Sequence, residues 1–254
     1  MTLIMINSNK FNIDYRVGFN GLLPDGSLAL PGLMTHVQEA SLFHTFSIPG
    51  AFDYYDEHNW VWIITHWQVE IYGYPKVGDT VNISTWPVRF KGYFGERGFE
   101  VVDTAGVRLL SANSNWILLD RSTFKPVRPT ERISSKYGEY HPFLLEKDFG
   151  LPKQGDFAPL SSHAYIVNRR DIDTNNHVNN VKYLEWLYCQ VPEDIYNNYR
   201  VKSLKVAYKK ETFLGNQVEI KLFKREKGKD IEIFAMIEKD GQTATEIYTL
   251  WQRI

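Results

Sequence analysis

The chain has 254 residues, 43% hydrophobic and 15% aromatic, which is enough to fill a packed core and excludes wholesale disorder. Basic and acidic residues nearly balance, 29 against 30, which excludes nucleic-acid binding driven by net charge. The single cysteine, Cys189, excludes an internal disulfide framework and an all-thiolate metal site, and no apolar run approaches the ~18 residues of a membrane-spanning helix.

In chain order, the stretch from Met1 to Lys10 has too short an apolar part for a secretory leader and lacks the look of a transit peptide. With one cysteine, which fits a reducing compartment, this predicts a cytoplasmic protein. Leu33, Val37, Ala40 and Phe43 then recur at helical spacing, with Pro31-Gly32 at the start and Pro49-Gly50 after the end. The segment from Val69 to Ile83 resembles the segment from Val206 to Ile220. A constant 137 residues separates Val69 from Val206, Gly78 from Gly215, Val81 from Val218 and Ile83 from Ile220. The turn around Gly106 is echoed at Gly241, and Trp116 by Trp251. Two copies of one strand-rich unit is the economical reading.

The boundary falls in residues 144–162, which contain Gly150, Pro152, Gly155 and Pro159 and lack periodicity. This divides the chain into units 1–150 and 151–254. In the second, Val181, Leu184, Tyr188 and Val191 form a helical stripe, preceded by asparagines as caps and ended by Pro192. Leu204, Val206 and Tyr208 alternate with Lys205, Ala207 and Lys209. Val218, Ile220 and Leu222 alternate likewise, as do Ile231, Ile233, Ala235 and Ile237, the period of an antiparallel sheet with one face covered. Lys227-Gly-Lys229 and Asp240-Gly241 read as hairpin turns. The expected fold class is α+β: two tandem units, each a helix packed on an antiparallel sheet, with the sheets joined edge to edge.

The polar cluster lies at the head of the second helix, from Asn168 to Trp186, where Asp, Asn and His crowd together. A loop entering a helix presents free backbone N–H groups, a natural place for a developing oxyanion. Asp173 and His177 are placed to form an acid–base pair. The same residues also suit helix capping and Asx-turns. The seven histidines, at 36, 44, 58, 66, 141, 163 and 177, show no metal-ligand spacing, so neither a metal nor a cofactor is expected.

Asp173-Thr-Asn-Asn-His177-Val-Asn-Asn-Val-Lys-Tyr183, followed by Trp186, resembles the Asp-x-Asn-x-His-Val-Asn-Asn-x-x-Tyr pattern of acyl-acyl carrier protein thioesterases, the plant-type enzymes and their bacterial relatives. The strand from Leu204 to Thr212 resembles their second motif, Tyr-Arg-Arg-Glu-Cys. The resemblance implies two tandem hot-dog units, the first holding the acyl chain and the second catalytic. It implies hydrolysis of a fatty acyl thioester on the phosphopantetheine arm of acyl carrier protein. The catalytic set it implies is Asp173, Asn175, His177 and Glu211; backbone N–H groups at the helix start, near Val178 and Asn179, are read as facing the oxyanion. The family cysteine position is held by Thr212, so attack by water rather than by a thiolate follows.

Phe43, Phe46, Phe52, Trp60, Trp62, Trp67, Trp86 and Phe90 supply large side chains for an acyl slot or simply for the core. In residues 30–39, taken as the matching region of the first unit, no Asp-x-Asn-x-His occurs. An acidic carrier calls for a basic docking face. Residues 151–254 hold 16 basic and 14 acidic side chains, and Lys209, Lys210, Lys224, Arg225, Lys227 and Lys229 are candidates. Three other readings stay open: an acyl-CoA thioesterase of the same fold, a non-catalytic acyl-binding protein, and a dehydratase of hydroxyacyl thioesters. Both a monomer and a homodimer fit two fused units.

Overall fold

The structure is a computed structural model that describes residues 10–138 and 140–254. The expectation about a leader, on Met1 to Lys10, lies outside the described residues except for Lys10. The chain divides into two compact units: unit 1 runs up to Thr65 and resumes over Ile71–Lys147, and unit 2 comprises His66–Glu70 and Asp148–Ile254.

Unit 1 begins with β1 (Phe11–Arg16), followed by α1 (Leu30–Ser47) and α2 (Ala51–Glu57). Pro31 stands in the first turn of α1, where its missing N–H costs nothing and its fixed φ suits the helix. The helix stops at Ile48, in extended backbone ahead of Pro49, and Gly50 takes φ +68° to launch α2. The buried stripe of α1 is Leu30, Leu33, Met34, Val37, Ala40, Ser41 and His44. Phe43 was expected in that stripe but is 41% exposed, with Leu42 and Phe46 beside it. Residue 44, not 43, continues the i, i+3/i+4 row from 37 and 40, so a histidine turns inward.

Four long strands complete unit 1: β2 (Trp60–Ile71), β3 (Thr80–Lys91), β4 (Phe94–Asp103) and β5 (Arg108–Asp120), with a single helical turn α3 (Glu131–Ser134) after them. The antiparallel order is β1-β3-β4-β5-β2.

Unit 2 contains β6 (Ala158–Ile166), α4 (Lys182–Gln190), α5 (Glu193–Asn198), β7 (Tyr199–Tyr208), β8 (Gln217–Lys227), β9 (Asp230–Lys239) and β10 (Gln242–Arg253). Its order, β6-β8-β9-β10-β7, repeats that of unit 1 with every strand number raised by five. The stretch His66–Glu70 of β2 pairs antiparallel with β7, His66 opposite Ala207 and Glu70 opposite Ser203, so β2 contributes to the sheet of each unit.

The duplication extends to single hydrogen bonds. Gly78 N–H donates to Val17 and Gly215 N–H to Val167; Val17 N–H donates to Asp79 and Val167 N–H to Asn216. The indole N–H of Trp116 donates to Ser114 at 2.7 Å, and that of Trp251 to Thr249 at 2.8 Å.

Three expectations need correction. β6 (Ala158–Ile166) begins inside the stretch read as a boundary without periodicity. Pro159 lies at a register shift in β6, which pairs only with β8 at the end of the strand order, where a residue without N–H is tolerated. β9 is buried on both faces, because Glu232 and Phe234 are covered as well as Ile231, Ile233 and Ala235. Phe157 lies 5.6 Å from the Phe234 ring, and Arg225, Lys227 and Tyr248 surround Glu232. The helix over Val181 to Val191 starts at Lys182, its cap position Val181 carries no capping side chain, and Asn179 caps from further out, its Oδ1 accepting the Val181 N–H at 3.0 Å. The Asp240-Gly241 hairpin is as expected, with both φ values positive, 52° and 70°.

Candidate active site

The loop of residues 168–180 is braced from below. Asn168 and Asp171 form a reciprocal capping box around the helical turn Arg169–Asp171. Asp171 is buried and also accepts the Tyr165 hydroxyl at 2.8 Å. Burial and this carboxylate push the Tyr165 phenol up to about 12. Sequence reasoning missed this support, although the Asn168-x-x-Asp171 spacing was its visible signal.

On that base sits a tight turn. Asn176 N–H donates to Asp173 O at 3.1 Å and Asp173 N–H to His177 O at 3.0 Å. Asn175 N–H donates to the Asp173 carboxylate at 2.8 Å, an Asx-turn, and Asn176 takes φ +65°, which asparagine tolerates best among residues with a side chain. The turn returns the chain so that Ile172 and Val178 form an antiparallel bridge.

The result places His177 between two carboxylates. Its Nδ1 lies 3.8 Å from Asp173 Oδ1, and its Nε2 lies 3.9 Å from Glu211 Oε1. Neither separation is a direct hydrogen bond, and both are close enough for ion pairing or for a shared water. All three side chains are mostly covered yet reachable. Glu211 follows the end of β7, and Lys239 of β9 donates to its carbonyl at 3.0 Å, fixing its backbone. The structure thus brings together Asp173, His177 and Glu211. It leaves Asn175 on the exposed tip of the turn, with its side-chain amide unbonded among the described residues.

The two backbone donors expected to face an oxyanion are already engaged. Val178 N–H donates to Thr212 O and Asn179 N–H to Asp171 O, each at 2.8 Å. The helix also begins three residues beyond Asn179, so neither N–H belongs to its first turn. Thr212 itself is fully buried under this loop. Cys189 lies on α4 at the far end from the turn, and burial together with Glu185 raises its thiol pKa, away from thiolate chemistry.

Unit 1 contains the twin of this loop, at residues 22–29 rather than 30–39. Leu23 N–H donates to Ser27, Ala29 N–H to Gly21 and Leu28 N–H to Pro75, and Leu22 bridges Leu28. In this frame Leu23 stands where unit 2 has Asp173, Asp25 where it has Asn175, Ser27 where it has His177, and Tyr74 where it has Glu211. The scaffold is present twice and the histidine and carboxylate set once.

The expected basic face is largely neutralised within the chain. Lys209 pairs with Glu246 at 2.7 Å, Lys224 with Glu226 at 2.8 Å, and Arg225 and Lys227 both reach Glu232.

Fold and site together define a tandem hot-dog protein whose second unit brings Asp173, His177 and Glu211 together. A family model described as the acyl-ACP thioesterase N-terminal domain matches residues 8–137, and one described as the C-terminal domain matches residues 157–253. The chain belongs to the acyl-ACP thioesterase family.

A chloroplastic palmitoyl-acyl carrier protein thioesterase of Gossypium hirsutum is 28% identical over 224 residues, 82% of this chain and 52% of its own. Its counterpart in Arabidopsis thaliana is 30% identical over 204 residues, 74% of this chain and 48% of its own. The chain therefore spans about half the length of the curated relatives it matches. Among solved structures, the 12:0-ACP thioesterase from Umbellularia californica has the same fold, with a TM-score of 0.85 at 20% identity over 97% of this chain and 95% of that one. An acyl-ACP thioesterase from Bacteroides thetaiotaomicron gives 0.81 at 20% identity, over 96% and 98%. Among the described residues no helix is long and apolar enough to cross a membrane.

Proposed function

We propose that this protein hydrolyses fatty acyl thioesters of acyl carrier protein to the free acid and the carrier, acting in the cytoplasm. Family membership supports the substrate class. The observation that carries the mechanism is His177 held between Asp173 and Glu211, at 3.8 and 3.9 Å.

A water touching both His177 Nε2 and Glu211 Oε1 is oriented for attack on the thioester carbonyl, and the Glu211 carboxylate takes its proton. Asp173, 3.8 Å away on the Nδ1 side, holds the imidazole orientation. Collapse of the tetrahedral intermediate expels the phosphopantetheine thiolate, which receives the proton that Glu211 took from water. With the Val178 and Asn179 N–H groups engaged in the loop, the oxyanion donor in this reading is the Asn175 side-chain amide. Unit 1 holds the acyl chain, since its loop lacks the catalytic side chains. No covalent enzyme intermediate is required, which agrees with Thr212 at the cysteine position.

Steady-state hydrolysis of a chain-length series of acyl-ACP thioesters, with matched acyl-CoA thioesters and the His177→Ala variant alongside, tests the reading. Carrier-selective turnover that collapses in the variant is expected. Equal or faster turnover of the CoA esters reassigns the carrier, and turnover unchanged in the variant removes the mechanism.

A further inference from the structure

Unit 1 contains a cavity of about 60 Å³. Thr45, Trp62, Phe90, Trp116 and Tyr137 line it, and β4 contributes both Glu96 and Arg97. Arg97 is only 9% exposed. Its Nη1 donates to His44 Nδ1 at 2.9 Å and to Thr85 Oγ1 at 3.2 Å. Its Nε and Nη2 donate to no acceptor among the described residues, and no described carboxylate lies within ion-pair range. The adjacent carboxylate is committed elsewhere: Glu96 holds Arg89 at 2.7 Å and Lys147 at 2.5 Å. Nor does His44 neutralise the guanidinium. Burial first, and Arg97 second, lower its pKa to about 3, so it is a neutral acceptor.

A buried cation without a counter-ion is costly, because taking a charge out of water demands a partner. The fold does not require it. Arg97 lies opposite Ser114 of β5, and in unit 2 the same register position, opposite Thr249 of β10, is Ile233, also fully buried. One sequence thus builds this position twice, once with an aliphatic residue and once with an arginine facing a cavity.

We propose that this cavity is a binding pocket for an aliphatic carboxylate. A guanidinium presents a planar fork that matches a carboxylate in two parallel hydrogen bonds. The single charge matches one carboxylate rather than a doubly charged phosphate. Aromatic walls suit the first methylenes of a chain. Tyr137, a lining residue, has its hydroxyl linked to Tyr55 at 3.1 Å and to Thr45 at 3.3 Å. A thioester carbonyl is neutral and does not compensate the charge, so the pocket favours a free acid over an ester. The acid is either one released by the protein's own reaction or one supplied from solution. The proposal does not rest on the hydrolytic reading, because it uses none of Asp173, Asn175, His177 and Glu211.

The test is calorimetric titration of the full chain with octanoate, octanamide, 1-octanol and inorganic phosphate, in the native protein and in His177→Ala, with hexanoate and palmitate to separate short free acids from a long-chain product. Octanoate is expected to bind both proteins equally, and at least about tenfold more tightly than octanamide or octanol, the margin of a charge-assisted hydrogen bond. Arg97→Met is expected to lose that preference. Should that variant not fold, the carboxylate-over-amide preference in the native protein decides alone. Equal binding of octanoate and octanamide, phosphate binding more tightly than octanoate, loss of octanoate binding in His177→Ala, or an unchanged preference in Arg97→Met each overturns the proposal.

Discussion

Thr212 accepts the backbone N–H of Val178 at 2.8 Å, and its hydroxyl lies fully buried beneath the loop that carries His177. The residue at the family cysteine position therefore serves the site through its main chain. Pro75 does the same for Leu28 in unit 1, at the same distance, with no reactive side chain at all. In both units a carbonyl at this post ties down the loop, whichever side chain the post carries.

That equivalence makes Thr212→Cys a sharp experiment. Because the carbonyl is retained and the side chain takes no part in water attack, the variant is expected to change kcat by less than about tenfold, or ~1.4 kcal/mol of barrier. Rapid-quench mass spectrometry should find no acyl-enzyme in either protein. A burst of acyl-enzyme, or a larger gain in turnover, would show that thiol chemistry is what the native chain lacks.

Removing either partner of the central pair should be far more damaging. His177→Ala and Glu211→Gln are each expected to lower kcat by ~10²–10⁴, the usual span for a general acid–base group. The double variant should be little worse than either single one, since the two act on one water. Asn175→Ala, on the exposed tip, should leave thermal stability unchanged and lower kcat, by up to ~10²–10³ if its amide is the oxyanion donor. Rates that multiply in the double variant would separate His177 from Glu211.

The site was legible where it is local. Asp173 and His177 lie in one uninterrupted motif, and a five-residue turn brings them together. Glu211 was reachable only through the second motif, because its approach depends on how β7 ends. What escaped reading depends on the third dimension. The N–H groups of Val178 and Asn179 look free in the sequence, and their acceptors, Thr212 and Asp171, appear only once the loop is folded. The twin loop at residues 22–29 was missed because no side chain of the motif survives there, and only the hydrogen-bond pattern remains. The duplication itself was visible, since Gly78 and Gly215 share a positive φ that leaves few alternatives to glycine. Phe43 misled because hydrophobicity does not decide which side of α1 faces the sheet when Leu42, Phe43 and Phe46 are all apolar.

Gly98 is expected to tolerate no side chain. A Cβ there would stand 2.6 Å from Cε2 of the Trp86 ring. That ring is fully buried, its N–H is held by Pro142 O at 3.1 Å, and Lys10 lies 3.9 Å over it, so it has little room to retreat. Gly98→Ala should cost about 1–3 kcal/mol in urea unfolding, as overpacking does. Gly155→Ala, with nothing within 4 Å, is the matched control and should fall within about 0.5 kcal/mol of the native protein.

His44 predicts how stability responds to acid. The ring is buried on α1 between Phe11, 5.4 Å away, and Tyr137, 5.5 Å away, and among the described residues the charged group bonded to it is Arg97. Its pKa is lowered from 6.5 to about 3 in the folded chain. Between those values the unfolded chain binds a proton that the folded chain does not, so stability falls as pH falls below 6.5 and continues to fall toward 3. By pH 5 this one group removes about 2 kcal/mol. His66, also lowered by burial, acts in the same direction, while the raised Glu70 acts in the opposite one. A difference between two proteins removes both. His44→Asn keeps an acceptor for Arg97 and cannot titrate. The loss of unfolding free energy between pH 7 and pH 5 should therefore be smaller in the variant by about 2 kcal/mol. Equal losses in the two proteins would mean that His44 is protonated in the folded state at pH 5 and that the Arg97 guanidinium does not hold its Nδ1 as an acceptor.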